Sequence, residues 1–115
     1  MSTIFLTHPA GLAHETPDGH PERVARLEAI YGALRAEEFA ALDRRLAPLA
    51  LEEEVLRCHS AAHLARLRAA RPEAGWVALD GDTFLMPASW EAALRAVGGA
   101  AAAADAVLGG QAQNG

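Results

Sequence analysis

The chain reads as a single α/β domain. Three observations predict this: a β-prone apolar run at Thr3-Ile4-Phe5-Leu6 that stops at His8-Pro9, apolar residues at helical spacing, and an ordinary globular composition. Over 115 residues, 51% are hydrophobic and 22% charged. That balance is too apolar and too weakly charged for intrinsic disorder, and the length supports one core or part of one.

The elements follow in order. Thr3-Ile4-Phe5-Leu6 predicts a buried strand, ended where proline removes a ladder donor. Residues 7–20 carry Pro9, Gly11, Pro17, Gly19 and three histidines, which predicts a long loop without regular structure. A loop of that length inside a compact domain is usually functional. A helix is expected from Pro21, with Glu22 complementing its dipole and Val24, Leu27, Ile30, Tyr31 and Leu34 on its apolar stripe. Leu46 and Leu49 flank Pro48 in a short extended piece. Residues 51–58 and 61–70 read as two short helices, the second capped by Ser60 and burying Leu64 and Leu67.

Gly75 ends that region, and Trp76-Val77-Ala78-Leu79 leads into the acidic loop Asp80-Gly81-Asp82-Thr83. A final helix starts around Pro87-Ala88-Ser89, with Ser89 as its expected cap and Trp90, Leu94, Val97, Ala101 and Leu108 near one stripe. Gly98-Gly99 in its interior costs about 1 kcal/mol per glycine relative to alanine, so close packing against another element is expected there. Residues 109–115 carry no expected core residue.

Charge and cysteine usage bound the function. Fifteen acidic against ten basic residues give a net charge of −5, and every basic residue is arginine with no basic run. This weakens any reading as a nucleic-acid binder. No stretch approaches the roughly 20 apolar residues of a membrane span, and the first six residues lack the features of a secretory signal, so a cytoplasmic protein is expected. Cys58 is the lone cysteine and is open to two readings, a small packing residue or a reactive thiol.

Four constellations carry possible chemistry. His8, His14 and His20 stand six apart in one loop; they either converge on a metal or hydrogen-bond within the loop. His59 and His63 are four apart, but a cap at Ser60 leaves His59 outside the helix. Asp80 and Asp82 either hold a cation or ligand, or form a turn beside Gly81. Arg23 and Arg26 share one helix face, and a buried Arg26 would need an anion, carbonyls or water for its donors.

Phe5-Leu6-Thr7-His8-Pro9, then His14, Gly19-His20-Pro21-Glu22-Arg23, Arg26-Leu27, His59-Ser60, Asp82-Thr83 and Ala92-Ala93-Leu94-Arg95-Ala96, in that order and spacing, resemble the start of the histone deacetylase family. The bacterial class II-type members, which include acetylpolyamine amidohydrolases and acetoin-utilisation proteins, are the most similar group. The resemblance implies that residues 1–115 are the N-terminal portion of one arginase-like three-layer fold with a parallel sheet. It implies a zinc-dependent deacetylase acting on an acetylated small molecule or a protein lysine. The family's His-His pair, Asp-His-Asp zinc triad and tyrosine would all lie downstream, so neither a catalytic nor a metal-ligating residue is expected within this chain, and no cofactor for the chain alone. Arg26 matches the arginine lining the internal cavity. Asp82, or else Asp80, falls near the substrate-contacting rim, and His14 and His20 belong to the loop beside the entrance. Val24 stands where related sequences often have proline. The competing expectation is a stand-alone, non-catalytic binding or interaction domain.

Overall fold

The computed structural model describes residues 2–115. β1 (Ile4–Thr7) and β2 (Asp43–Leu46) pair in parallel, Ile4 opposite Asp43 and Thr7 opposite Leu46, with α1 (Val24–Ala33) in the connection between them. A parallel pair needs such a crossover, because its strands run the same way and cannot be joined by a tight turn. On its other edge β1 meets the tail. Gln113 N–H donates to Ser2 C=O at 2.9 Å and Ile4 N–H to Asn114 C=O at 3.0 Å, in parallel register. The tail thus covers the start of β1, and Ile4 is buried at 3% exposure while Phe5, Leu6 and Thr7 are half-buried.

α2 (Glu52–Leu56) and α3 (Ala61–Ala70) follow, then a small antiparallel hairpin of β3 (Val77–Ala78) and β4 (Phe84–Leu85), and the long α4 (Ser89–Leu108). α4 organises two clusters. Trp90, Leu94 and Val97 pack against Ala50, Val55 and Leu64, while Ala103, Ala106 and Val107 pack with Ile4, Leu6 and Ala112. Between them the glycine pair admits the connector after β2. A Cβ on Gly98 would stand 2.0 Å from the Pro48 carbonyl oxygen, and one on Gly99 3.1 Å from Ala47 Cβ. The connector comes so near that Ala50 N–H donates to Leu94 C=O at 3.0 Å, and Arg95 Nη1 donates to Ala47 C=O at 3.0 Å. The expected close packing at these glycines is present. No helix among the described residues is long and apolar enough to cross a membrane.

Several expectations are corrected. The loop after β1 contains a 3-10 turn, Pro9–Ala13, because His8 Nδ1 accepts the Ala10 N–H at 3.0 Å and caps it. The first helix begins at Val24, three residues later than expected. Arg23 is still extended (φ −150°, ψ 157°), and Pro21 and Glu22 belong to the approach. Residues 51–58 form a shorter helix ending at Leu56, its entry closed by Leu51 N–H donating to the Glu54 carboxylate at 2.8 Å. Ser60 does cap α3, accepting the His63 N–H at 3.1 Å, with Leu64 buried and Leu67 half-buried.

The extended piece around Leu46 is a strand that starts at Asp43. Its Asp-Arg-Arg-Leu sequence lacks apolar alternation and is strand only because β1 supplies partners. Leu46, at 68% exposure, and Leu49 contribute nothing to the core. Leu108 leaves the α4 stripe and is 86% exposed, while Ala106 and Val107 just before it face the cluster around Ile4. Ala112 in the tail is buried, held by its N–H donating to Ala106 C=O at 3.1 Å. Cys58 is exposed, which removes the packing reading.

Candidate functional site

An open cleft of about 1240 Å³ lies between β1, α1 and α4. Ile4, Leu6, Ala103 and Val107 make its floor apolar, while His8, His14, Arg26, Tyr31, Ser89 and Arg95 bring polar atoms to its wall. Arg26 occupies the first turn of α1, with its backbone N–H bonded to Arg23 C=O at 3.1 Å; it is exposed and lines the cleft. Arg23, at the cap of the same helix, is exposed and does not line it.

The loop 8–20 is fastened at one rim by the hairpin and the start of α4. His14 Nδ1 lies 2.7 Å from Ser89 Oγ, and its Nε2 lies 3.6 Å from the Glu22 carboxylate. Trp76 Nε1–H donates to Glu15 C=O at 3.0 Å, and Glu15 N–H donates to Met86 Sδ at 2.9 Å. His20 Nδ1 accepts the Glu22 N–H at 3.0 Å, so its Nε2 carries the proton and donates to Asp82 C=O at 2.7 Å. Its ring also stands edge-on to Phe84, 5.6 Å between centroids. His20 and Asp82 are thus brought together at the rim, while His14 and Arg26 lie on the cleft wall.

Asp80 is taken up by the turn: its Oδ1 accepts the N–H of Asp82 at 3.0 Å and of Thr83 at 2.9 Å. Those donors, that of Asp82 foremost, hold its carboxyl below the usual carboxylate range. A folded pKa below the unfolded one contributes stability that is complete above the unfolded value and lost as pH falls through the folded one. Acidification below about pH 4 should therefore loosen the hairpin tip, seen as movement of the Asp82 and Thr83 amide resonances. Asp80→Asn keeps the acceptor oxygen and should abolish that pH dependence while leaving the hairpin formed.

The histidines do not converge. His8 Nδ1 serves its own turn, His14 faces Ser89 and Glu22, and both nitrogens of His20 are engaged at the hairpin. Among the described residues no three His, Cys, Asp or Glu side chains are placed to hold a metal ion, so the donor set present does not fit zinc. His59 and His63 stack at 5.3 Å, and His63 Nδ1 pairs with Arg66 Nη2 at 3.0 Å.

Two residues on the wall carry roles that local sequence reading misassigns or leaves unassigned. Ser89 is not the cap of α4. That position falls to Ala88, and the Ser89 hydroxyl accepts the Met86 N–H at 2.9 Å and meets His14. A serine after Pro-Ala carries an ordinary capping signal, and only the distant His14 distinguishes it. Arg95 bridges α4 to Ala47 and pairs within the helix with Glu91 at 3.4 Å. Its apolar neighbours Leu94 and Ala96 are the one hint that it faces inward.

Comparison with known proteins places this arrangement. The chain is 39% identical over 114 residues to a histone deacetylase-like amidohydrolase of Pseudomonas aeruginosa, covering 95% of the chain and 29% of that protein. It is 41% identical over 90 residues to an uncharacterised protein of Synechocystis, covering 75% of the chain and again 29% of the relative. The chain thus spans less than a third of the length of either relative. The crystal structure of the HDA15 HD domain superposes on all of the chain and 34% of that structure, with a TM-score of 0.87 at 23% identity, which shows the arginase-like α/β fold. With residues 20–115 also matching the histone deacetylase domain profile, the chain belongs to the histone deacetylase family.

Proposed function

We propose that this chain is the N-terminal wall of the active-site cavity of a zinc-dependent deacetylase. The reaction is hydrolysis of an acetyl-amide bond, on a lysine side chain or a small acetylated amine, and the 115 residues are inactive by themselves. The observation that carries this reading is the 39% identity to a histone deacetylase-like amidohydrolase across 95% of the chain. A catalytic zinc takes three protein ligands and keeps a position open for water or substrate. In this reading the ligands come from the part of the enzyme beyond these residues.

The chain's own residues supply surroundings. Arg26, on the cleft wall, donates charge-assisted hydrogen bonds to the acetate product. His14 and His20 hold the entrance loop, and the exposed Asp82 carboxylate beside His20 accepts from an approaching amine or amide N–H. Nucleic acid is not the expected partner, given the acidic balance and the absence of a basic run. A cytoplasmic location accords with the single exposed cysteine.

A chimera tests this reading. Residues 1–115 would replace the matching segment of the Pseudomonas relative, and release of acetate from an acetyl-lysine peptide and from an acetylated diamine would be measured. Chelator-sensitive hydrolysis by the chimera, with none from the 115-residue chain, is the expected outcome. A folded, zinc-loaded chimera without activity would remove the proposal, as would hydrolysis by the chain alone. The latter result would point to a site within these residues.

A further inference from the structure

Ser89 is buried at 4% exposure, and its hydroxyl joins the start of α4 to a loop residue 75 positions away. Its oxygen accepts the Met86 N–H at 2.9 Å and stands 2.7 Å from His14 Nδ1. The other ring nitrogen of His14 faces the Glu22 carboxylate at 3.6 Å. An ionised carboxylate only accepts, so it favours the imidazole proton on Nε2. Nδ1 then presents its lone pair, and the Ser89 hydroxyl donates to it.

Glu22 is itself held in place. Its N–H donates to His20 Nδ1 at 3.0 Å, and its carbonyl accepts from the Thr16 hydroxyl. It lies on the segment that enters α1, just before the turn carrying Arg26. His14 therefore touches both sides of the cleft, α4 through Ser89 and the approach to α1 through Glu22.

We infer that His14 is a positioning residue. Its Nε2–H tautomer braces the start of α4 against the entry of α1 and so sets where Arg26 stands on the opposite wall. The inference goes beyond the deacetylase reading and concerns the cleft's geometry whatever substrate it takes.

The test uses the 115-residue chain. Side-chain 15N spectra at neutral pH should show His14 with Nδ1 unprotonated and Nε2 protonated. Hydrogen exchange read by mass spectrometry should show the backbone of residues 16–26 exchanging about five- to tenfold faster in His14→Phe and in Ser89→Ala, the effect of losing one hydrogen bond. Exchange in α3 should stay unchanged. Over residues 16–26 the double variant should exchange no faster than His14→Phe, because that variant already lacks both contacts of the imidazole and Ser89 reaches this segment only through it. His14→Asn, whose side-chain oxygen substitutes for Nδ1 toward Ser89 but has no group at the Nε2 position facing Glu22, should recover part of the protection lost in His14→Phe. A ring that merely fills space is better replaced by phenylalanine, so protection kept in His14→Phe and lost in His14→Asn would overturn the inference. A proton on Nδ1, or additive effects in the double variant, would do the same. If Ser89→Ala does not fold, the 15N spectrum of the unaltered chain decides.

Discussion

Gly98→Ala should be the most destabilising single-methyl change in this chain, by about 3 kcal/mol, at the upper end of what overpacking a closed contact costs. The added Cβ would sit 2.0 Å from the Pro48 carbonyl oxygen and 2.8 Å from Ala50 N, and both are backbone atoms with no rotamer by which to move aside. Relief requires the 47–50 connector to back away from α4. That breaks the Ala50 N–H bond to Leu94 C=O and loosens the cluster around Val55, Leu64 and Trp90. The intrinsic gain of alanine over glycine in a helix, about 1 kcal/mol, offsets only part of this. Gly32→Ala is the control. Gly32 is exposed in α1 and a Cβ there meets nothing within 4 Å, so the same substitution should stabilise by up to about 1 kcal/mol. Thermal or urea melts of the two variants should move in opposite directions. A Gly98→Ala melt at or above that of the unaltered chain would show that α4 does not pack against the connector so closely.

Arg26→Ala should lower turnover by about 10- to 100-fold in the chimera described above, with zinc content unchanged. The figure follows from losing one charge-assisted hydrogen bond of about 1.5–3 kcal/mol to the developing or departing carboxylate. Arg23→Ala should leave turnover within about twofold, because Arg23 caps the same helix yet does not line the cleft. An Arg26 that served only the fold would lower the melting temperature along with activity. Turnover, bound zinc and melting temperature measured on both variants separate these cases. Near-native turnover in both would remove Arg26 from the cavity.

Elements whose signal is local were legible in the residues. The apolar run at Ile4, the Ser60 cap, the helix α1 and the Asp80 turn each depend on neighbours a few positions away, which propensity and spacing register directly, although Ile30 of the α1 stripe is exposed. The order of short motifs around His14, His20, Arg26 and Asp82 was enough to bring the family to light, though each motif alone says little. The glycine pair in α4 also announced itself, since two glycines inside a helix have a cost that only a close neighbour explains.

Readable from the residues alone are the α/β class, most of the helices and the need for a close approach at Gly98. The tertiary structure alone decided three things. Asp43–Leu46 is a strand although its Asp-Arg-Arg-Leu sequence has no strand pattern, because β1 offers a row of backbone partners and its pairing outweighs weak β-propensity. Residues 113–114, polar and without apolar anchors, bridge to the chain at Thr3, at the entry to β1, for the same reason. Ser89 turned from helix capping to His14, a partner 75 positions away. In each case the deciding interaction is long-range. A hydroxyl or a backbone N–H takes whichever partner the packed chain brings within about 3 Å, and sequence separation carries no record of that distance.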